Sequence, residues 1–541
     1  MDLPLGDHAG SRSATAGLCV KFRMSPLSVG TVKISPQASK TARAPALTWR
    51  ERRRGRSVIC AACCSLWRFE NPKINAPAFA IRDIELFERP VKLRMPFRFG
   101  VVTLREAPQA FVRARIELAD GRWAWGAAAE LLAPKWFDKN LALTNEDNFE
   151  QLRDVLRIAR SAYLSDSAPA SAFAHFARNF GAHMQAAQGK GYNPLLASYG
   201  PALVDRAVLD AVCRATGLSF YESISSNAVG VQGGRGEAEG LNIAAFMASL
   251  KPAASIEARH TVGLVDAITA ADITEPVNDG LPETFEQVVK VYGHRYYKLK
   301  VGGQVLADVD RLTAIASVLD TLQQPYFISL DGNEQYNDAQ GVAELLAAMR
   351  ATPALKRLND SIMFIEQPIN RKVALDVNLR SVDLGKPVII DESDGELDSF
   401  VQARARGYEG VSSKTCKGFY KSILNAARCA KWNAQEGTQR YFMSAEDLTT
   451  QAGLSVQQDL ALVNLLGITH VERNGHHYVN GMAALPSAEQ AAFLAAHSDL
   501  YEKSHGAVRL KIRDGKIDIA SLACPGFASG AMPEFGTMQS L

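Results

Sequence analysis

Several things are scarce in this chain. No apolar run approaches the ~18–20 residues that cross a bilayer, so no transmembrane helix and no membrane partner are expected. Net charge is small: 60 Lys and Arg against 57 Asp and Glu leave +3 over 541 residues. The first 70 residues hold about +8, which leaves about −5 for the rest. A nucleic-acid surface needs a basic patch on the folded part, so nucleic acid is not an expected partner. Cysteine is sparse, eight in all. Cys213, Cys416, Cys429 and Cys524 stand alone and read as small core residues in a reducing, cytoplasmic compartment. Cys60, Cys63 and Cys64 form a C-x-x-C-C group, but no second ligand pair follows at the spacing a zinc site requires. Gly233-Gly234-Arg235-Gly236 lacks a preceding strand and a following Lys-Ser/Thr, which excludes a phosphate-binding loop.

What is present divides the chain. Residues 1–74 are rich in Ser, Ala, Arg and Lys, with Arg50, Arg52, Arg53, Arg54 and Arg56 almost consecutive, and periodicity is weak. A disordered basic extension is expected; an organelle transit peptide and a basic contact arm are the alternatives. From 75 to 225 alternating strands (Ile81–Phe87, Phe111–Leu118, Trp123–Ala127) give way to helical patterns (Asn148–Tyr163, Ala172–Ala187, Pro201–Thr216), the last closed by Gly217. This is an α+β domain, with Arg94–Val101 expected as a loop. Residues 226–258 are Gly/Ser/Ala-rich and read as a linker or insertion. From 259 to 485 strand and helix alternate eight times, beginning with a strand over His260–Ile268. That is the pattern of a (β/α)₈ barrel. Residues 486–525 carry a helix and strands expected to complete the first domain, and 526–541 a flexible tail.

Charges fall at the strand ends. Lys298 and Lys300 alternate on one strand, so both amines project from one face. Burying two like charges together is costly unless anions accept them. The next runs end in Asp331, Glu366 and Asp391, and a fourth ends in Lys414. A lone strand-end Asp is ordinarily a helix N-cap and a lone Lys-x-Lys a solvated edge. Their recurrence at successive strand ends points instead to one shared site, because barrel chemistry is built at the C-terminal ends of the strands. Three acids in one mouth need a cation. Oxygen ligands without a Cys or His pair favour one Mg²⁺ ion over zinc. A lysine acting as a base must be neutral near pH 7. A neighbouring amine and a nearby metal both push its pKa down. Lys414 approaches from the opposite side to Lys298 and Lys300.

The ordered set Lys298-Leu299-Lys300, Asp331-Gly332-Asn333, Ile365-Glu366-Gln367-Pro368, Asp391-Glu392-Ser393 and Lys414 resembles the enolase superfamily, of mandelate racemase/muconate-lactonizing type. Within it the set resembles the branch of muconate-lactonizing enzymes, dipeptide epimerases and o-succinylbenzoate synthases. The resemblance implies a barrel with an α+β capping domain and Mg²⁺ on Asp331, Glu366 and Asp391. Lys300 would be the base on one face of a small carboxylate substrate and Lys414 the acid/base on the other. Lys298 would tune Lys300 or touch the substrate, and Asn333 would sit behind Asp331. The outcome would be racemisation or epimerisation, cycloisomerisation or dehydration, in a chain able to form a homo-oligomer. A His at the seventh strand end would mark the mandelate-racemase branch; this sequence has Ser444-Ala445-Glu446-Asp447.

Lys417 competes with Lys414 for the lysine role. Glu392 is a solvated neighbour of Asp391 or a group near the site. Arg98 and Trp136 are candidate specificity residues in the cap. His476 and His477 are expected in a mouth loop, touching substrate or simply packed. Two other readings stay open: a Schiff-base lyase barrel using one lysine, and a non-catalytic binding protein on the same scaffold.

Overall fold

The computed structural model describes residues 76–232, 240–446, 448 and 451–541. The basic N-terminal stretch, the C-x-x-C-C group and Gly233–Gly236 lie outside them. Three long antiparallel strands open the fold: β1 (Phe79–Phe99), β2 (Val102–Leu118) and β3 (Trp123–Leu131). Apolar residues such as Ile84, Val112, Ala114 and Ile116 are fully buried. Arg94–Val101 is not a loop but the far end of the β1–β2 hairpin. Phe97 and Phe99 keep the alternation going, and pairing resumes there after an irregularity at Lys92/Phe97. The chain turns only at Gly100, at φ 50°.

Helices α1 (Asn145–Ser165), α2 (Ala172–Gly189) and α3 (Pro194–Thr216) follow. Thr144 caps α1 reciprocally with Asp147, and Gly217 closes α3 in the left-handed conformation. The helix expected to start at Pro201 starts at Pro194: Asn193 is the cap, Pro194 takes the first turn, and Pro201 lies inside. Two short helices come next, α4 (Phe220–Ser225) and α5 (Ile243–Ser249). Ile243 and Met247 of α5 are buried in the core, so 240–258 is packed structure rather than a linker.

Eight parallel strands form the second layer: β4 (Ser255–Val262), β5 (Tyr296–Lys300), β6 (Phe327–Asp331), β7 (Ile362–Glu366), β8 (Val388–Ile390), β9 (Gly410–Ser413), β10 (Phe442–Ala445) and β11 (His470–Arg473). The first ends at Val262 instead of Ile268, because the Gly263 amide is taken by Asp266 (2.7 Å) and the chain turns there. The strands run in the order β10-β9-β8-β7-β6-β5-β4-β11, a curled sheet. Among the described residues no ladder joins β10 to β11. Helices cover the connections: α6 (Phe285–Tyr292), α7 (Val305–Leu319), α8 (Ala339–Ala351), α9 (Lys356–Asp360), α10 (Arg371–Ala374), α11 (Ser399–Ala405), α12 (Phe419–Glu436) and α13 (Leu454–Leu465). α14 (Gly475–Tyr478) and α15 (Ser487–Ala496) follow β11. No helix among the described residues is long and apolar enough to cross a membrane.

The C-terminal strands do not complete the cap in the expected way. β12 (Tyr501–Ser504) and β13 (Ala507–Leu510) form their own hairpin. β14 (Lys516–Asp518) pairs with Ser255–Glu257 at the start of β4, and the β11 ladder begins at Glu257. The segment expected as a flexible tail supplies β15 (Gln539–Ser540), which adds to the outer side of β1.

Candidate active site

The ladder register builds the site. Lys300 on β5 pairs with Asp331 on β6, and Asp331 with Glu366 on β7, so one row crosses three strand ends. Asp391 follows β8, Lys414 follows β9 and Glu446 follows β10, each by one residue, while Glu472 sits within β11. Leu299 faces the opposite way and is fully buried in the helix layer, which leaves Lys298 and Lys300 together at the mouth.

Amines flank the acids on both sides. Lys300 Nζ donates to Asp331 Oδ2 at 2.5 Å, and Lys414 Nζ to Asp391 Oδ2 at 2.6 Å. Lys298 Nζ reaches four carboxylates: Asp331 (2.8 Å), Glu366 (2.9 Å), Glu446 (2.6 Å) and Glu472 (3.1 Å). Lys417 also arrives, donating to Asp391 Oδ1 (3.1 Å) and to the Ser412 carbonyl (2.6 Å). Burial alone would lower the Lys298 and Lys414 pKa values. The carboxylates outweigh it: Asp331, Glu366, Glu446 and Glu472 raise Lys298 well above its ordinary value, and Asp391 leads the rise of Lys414. The lowered lysine pKa expected from amine–amine repulsion is therefore not what this arrangement gives Lys298 and Lys414, because carboxylates lie 2.6 to 3.1 Å from their amines.

The acids divide. Burial works against Asp331 and Asp391, but their lysines hold both below the usual carboxylate range. Glu366 goes the other way: burial, with Glu446 beside it, pushes its carboxyl well above the ordinary value. Lys298 Nζ is the cation that reaches Glu366, 3.0 Å from Oε1 and 2.9 Å from Oε2, whereas Glu392 Oε2 and Asn333 Oδ1 are buried and accept no hydrogen bond. Glu392 is pushed up to about 7 by burial and by the Asp391 charge. Unpartnered acceptor oxygens beside a carboxylate that shares its one amine with three other acids fit a hard divalent cation.

Backbone strain holds this rim. Asn333 and Gln367 both take positive φ (39° and 31°) just beyond β6 and β7. Gln367 Oε1 accepts from the Asp391 and Ser393 amides (2.8 and 3.1 Å), which fixes the end of β8. Asn333 accepts through its backbone carbonyl from Lys139 (2.6 Å) and donates through Nδ2 to Glu392 (3.2 Å). Arg371 bonds Glu334 and the carbonyls of Trp136 and Phe137, tying the cap segment over the mouth.

Residues 281–527 match the family model described as enolase C-terminal domain-like. This segment, a little under half of the chain, is thus an enolase C-terminal domain-like domain. Muconate cycloisomerase 1-2 of Acinetobacter lwoffii is 26% identical over 176 residues, 32% of this chain; the match spans only 41% of that protein. Two solved structures share the fold. Muconate lactonizing enzyme from Pseudomonas fluorescens, complexed with muconolactone, superposes with a TM-score of 0.52 at 18% identity, over 85% of this chain and 97% of that one. An enolase from Bradyrhizobium, complexed with magnesium and mandelic acid, gives 0.53 at 14%, also over 85% and 97%.

The cap closes the cavity. Phe97, Phe99, Leu104, Leu131, Ala133 and Trp136 line it above Lys298, Lys300, Asp331, Asn333, Asp391 and Lys414. Trp136 lies with its ring 4.8 Å from Lys414 Nζ. Arg98 is exposed and turned away, because strand alternation gives the inward positions to Phe97 and Phe99. His476 and His477 are buried among His260, Tyr292 and Tyr478 and do not line this cavity. The helical turn α14 directs them outward. Glu446, Glu472 and Asn474 also stand in the site, although the sequence pattern does not single them out. The strand-end logic that singled out Asp331 applied equally to Glu446 and Glu472, at the ends of the seventh and eighth strands.

Proposed function

We propose that this protein is an enolase-superfamily isomerase or lyase that removes the proton α to the carboxylate of a small organic acid, with the strands closed as a (β/α)₈ barrel. What carries the reading is one arrangement: Lys300 and Lys414 engage opposite ends of one acid cluster, at Asp331 and Asp391. Asp331, Glu366 and Asp391 would hold one Mg²⁺ ion. When bound, Mg²⁺ takes up their negative charge, which lets the lysine pKa values fall and stabilises enolate oxygens.

Lys300 then takes the substrate proton from one face, and Lys414 returns or delivers one on the other. Lys298, drawn to four carboxylates, holds the acids in place rather than moving a proton. Lys417, bonded to the Ser412 carbonyl behind Asp391, positions that acid. Glu446 in place of a histidine at the seventh strand supports the lysine-based, muconate-lactonizing-like branch over the mandelate-racemase-like one. Trp136 and the β1–β2 hairpin would select the substrate. A cytoplasmic setting goes with this reading, supported by the free thiols of Cys213, Cys416 and Cys429.

The test is Mg²⁺-dependent deuterium uptake at the α carbon of screened carboxylic acids in D₂O. Lys300→Ala and Lys414→Ala should each lower exchange by roughly 10²–10⁴-fold. Exchange that persists in both variants refutes the two-lysine mechanism. Borohydride trapping of a lysine adduct with a carbonyl substrate would move the assignment to a Schiff-base lyase.

A further inference from the structure

Three imidazoles meet behind β4, away from the mouth. Arg259 and Thr261 send their side chains inward, to Glu446 and Glu472, so alternation sends His260 between them outward, against Phe285 of α6. His294 lies just before β5, and His476 belongs to α14 just after β11. One nitrogen from each of the three lies within 4.8 Å of the other two. His260 Nδ1 and His476 Nε2 are 3.4 Å apart. The residues are only 1%, 2% and 4% exposed.

Their hydrogen bonding is incomplete in an informative way. His294 Nδ1 lies 3.0 Å from the Ala258 carbonyl, which can only accept, so Nδ1 carries the proton and Nε2 presents a lone pair. That Nε2 is buried and has no hydrogen-bond partner, and neither has His476 Nδ1. Buried polar atoms left without partners cost free energy that packing alone does not return. Burial, with the other imidazoles adding to it, holds His260 and His476 well below the usual histidine range, and burial brings His294 down to about 4. The rings are therefore neutral, the form that binds metal. His294 also has its distal nitrogen anchored on a backbone carbonyl, as ligating histidines do.

We propose that His260, His294 and His476 bind one Zn²⁺ ion, separate from the acid cluster, with a water molecule in the fourth position. Imidazole nitrogens select a borderline first-row ion over Mg²⁺. The nitrogens must draw together to stand ~2.0–2.1 Å from a shared ion. The ion ties β4, the entry to β5 and the helix after β11, the corner where the last strand joins the first. Arg509 is nearby, with Nη2 on the Tyr292 hydroxyl (3.1 Å) and the His476 carbonyl (3.4 Å). Its charge opposes the ion and makes the site weaker than one backed by carboxylates.

The experiment uses the full-length protein, stripped with chelator, saturated with Mg²⁺ and then titrated with Co²⁺ and Zn²⁺. One equivalent of Co²⁺ should bind with the intense visible band of tetrahedral nitrogen coordination, and one equivalent of Zn²⁺ should displace it. Zn²⁺ should raise Tm by about 2 °C. His294→Gln and His260→Gln should lose both the band and the shift. Absence of the band in the unmutated protein overturns the proposal, and so does a band that survives both substitutions. Should the variants fail to fold, X-ray absorption on the unmutated zinc protein decides: three imidazole ligands uphold the site, and a shell of oxygen alone overturns it.

Discussion

Lys298 sits 2.6 to 3.1 Å from four carboxylates, and no sequence rule supplies that number. The two-residue spacing of Lys298 and Lys300 places both amines at the mouth. Which carboxylate each one meets depends on strands far apart in the chain. The proposed bases can be separated at this scale. If Lys300 and Lys414 serve opposite faces, each alanine variant should abolish exchange from one enantiomer of a chiral substrate more than from the other, read by NMR of the recovered acid. Equal losses for both enantiomers would contradict the two-sided arrangement. A second residue-scale prediction concerns Asp205 in α3. It is buried, accepts from the Tyr163 hydroxyl at 2.7 Å, and burial pushes its carboxyl up to about 8. A carboxyl raised in the folded state binds its proton more tightly there than when unfolded. Its contribution to stability is complete below pH 4 and is lost as pH rises toward 8. Asp205→Asn should therefore gain on the unmutated protein by roughly 2–5 kcal/mol between pH 4 and 9 in denaturant titrations. A difference that stays flat with pH would show that Asp205 is ionised in the fold.

At the scale of elements, the cap is held by close backbone packing. A Cβ built on Gly126 of β3 would stand 2.0 Å from the Ala211 amide nitrogen and 2.3 Å from the Ala207 carbonyl oxygen of α3. Both neighbours are backbone, so neither can rotate away. Gly126→Ala should force β3 off α3 and cost about 2–3 kcal/mol, measured by urea unfolding. A smaller loss would mean the sheet and helix slide past each other freely. The same contact positions β3, whose end supplies Leu131 to the cavity, so the substitution should also weaken substrate capture. Element identity was largely legible beforehand. The strands ending at Lys300, Asp331 and Glu366 lie where charge followed an apolar run, and α13 begins at Leu454 as its pattern required. Misplaced boundaries have local causes. Pro201 looked like a helix start because Pro suits the first turn, yet Pro194 holds that position. His260–Ile268 looked like one strand because a side-chain bond from Asp266 to the Gly263 amide leaves no apolar signal.

At the scale of the whole molecule, metal binding is the most general consequence. If Asp331, Glu366 and Asp391 share Mg²⁺, the ion should raise thermal stability. At a concentration a hundred times Kd the gain is about 2.7 kcal/mol. Glu366→Gln should remove the Mg²⁺-dependent Tm shift, since the side chain then offers the ion no carboxylate. A shift that survives would place the ion elsewhere. The chain's own cations already neutralise much of the cluster, because Lys298, Lys300, Lys414 and Lys417 all touch Asp331 or Asp391. The requirement for a cation read from the sequence is thus met in part by amines, and Glu366 has only the Lys298 amine that three other acids share.

Taken by itself, the amino-acid order determined which residues could reach a common mouth. Period-two alternation and charge at successive strand ends are local properties, written within a few residues of each position. It could not decide what is set by contacts between remote segments. Glu446 and Glu472 enter the cluster because Lys298 reaches them across the sheet. Arg98 leaves the site because the hairpin alternation runs through it. His476 and His477 abandon the mouth for His260 and His294 because α14 turns behind β4. These are matters of side-chain direction and long-range packing, and only the folded chain brings residues some two hundred positions apart to within a few ångströms.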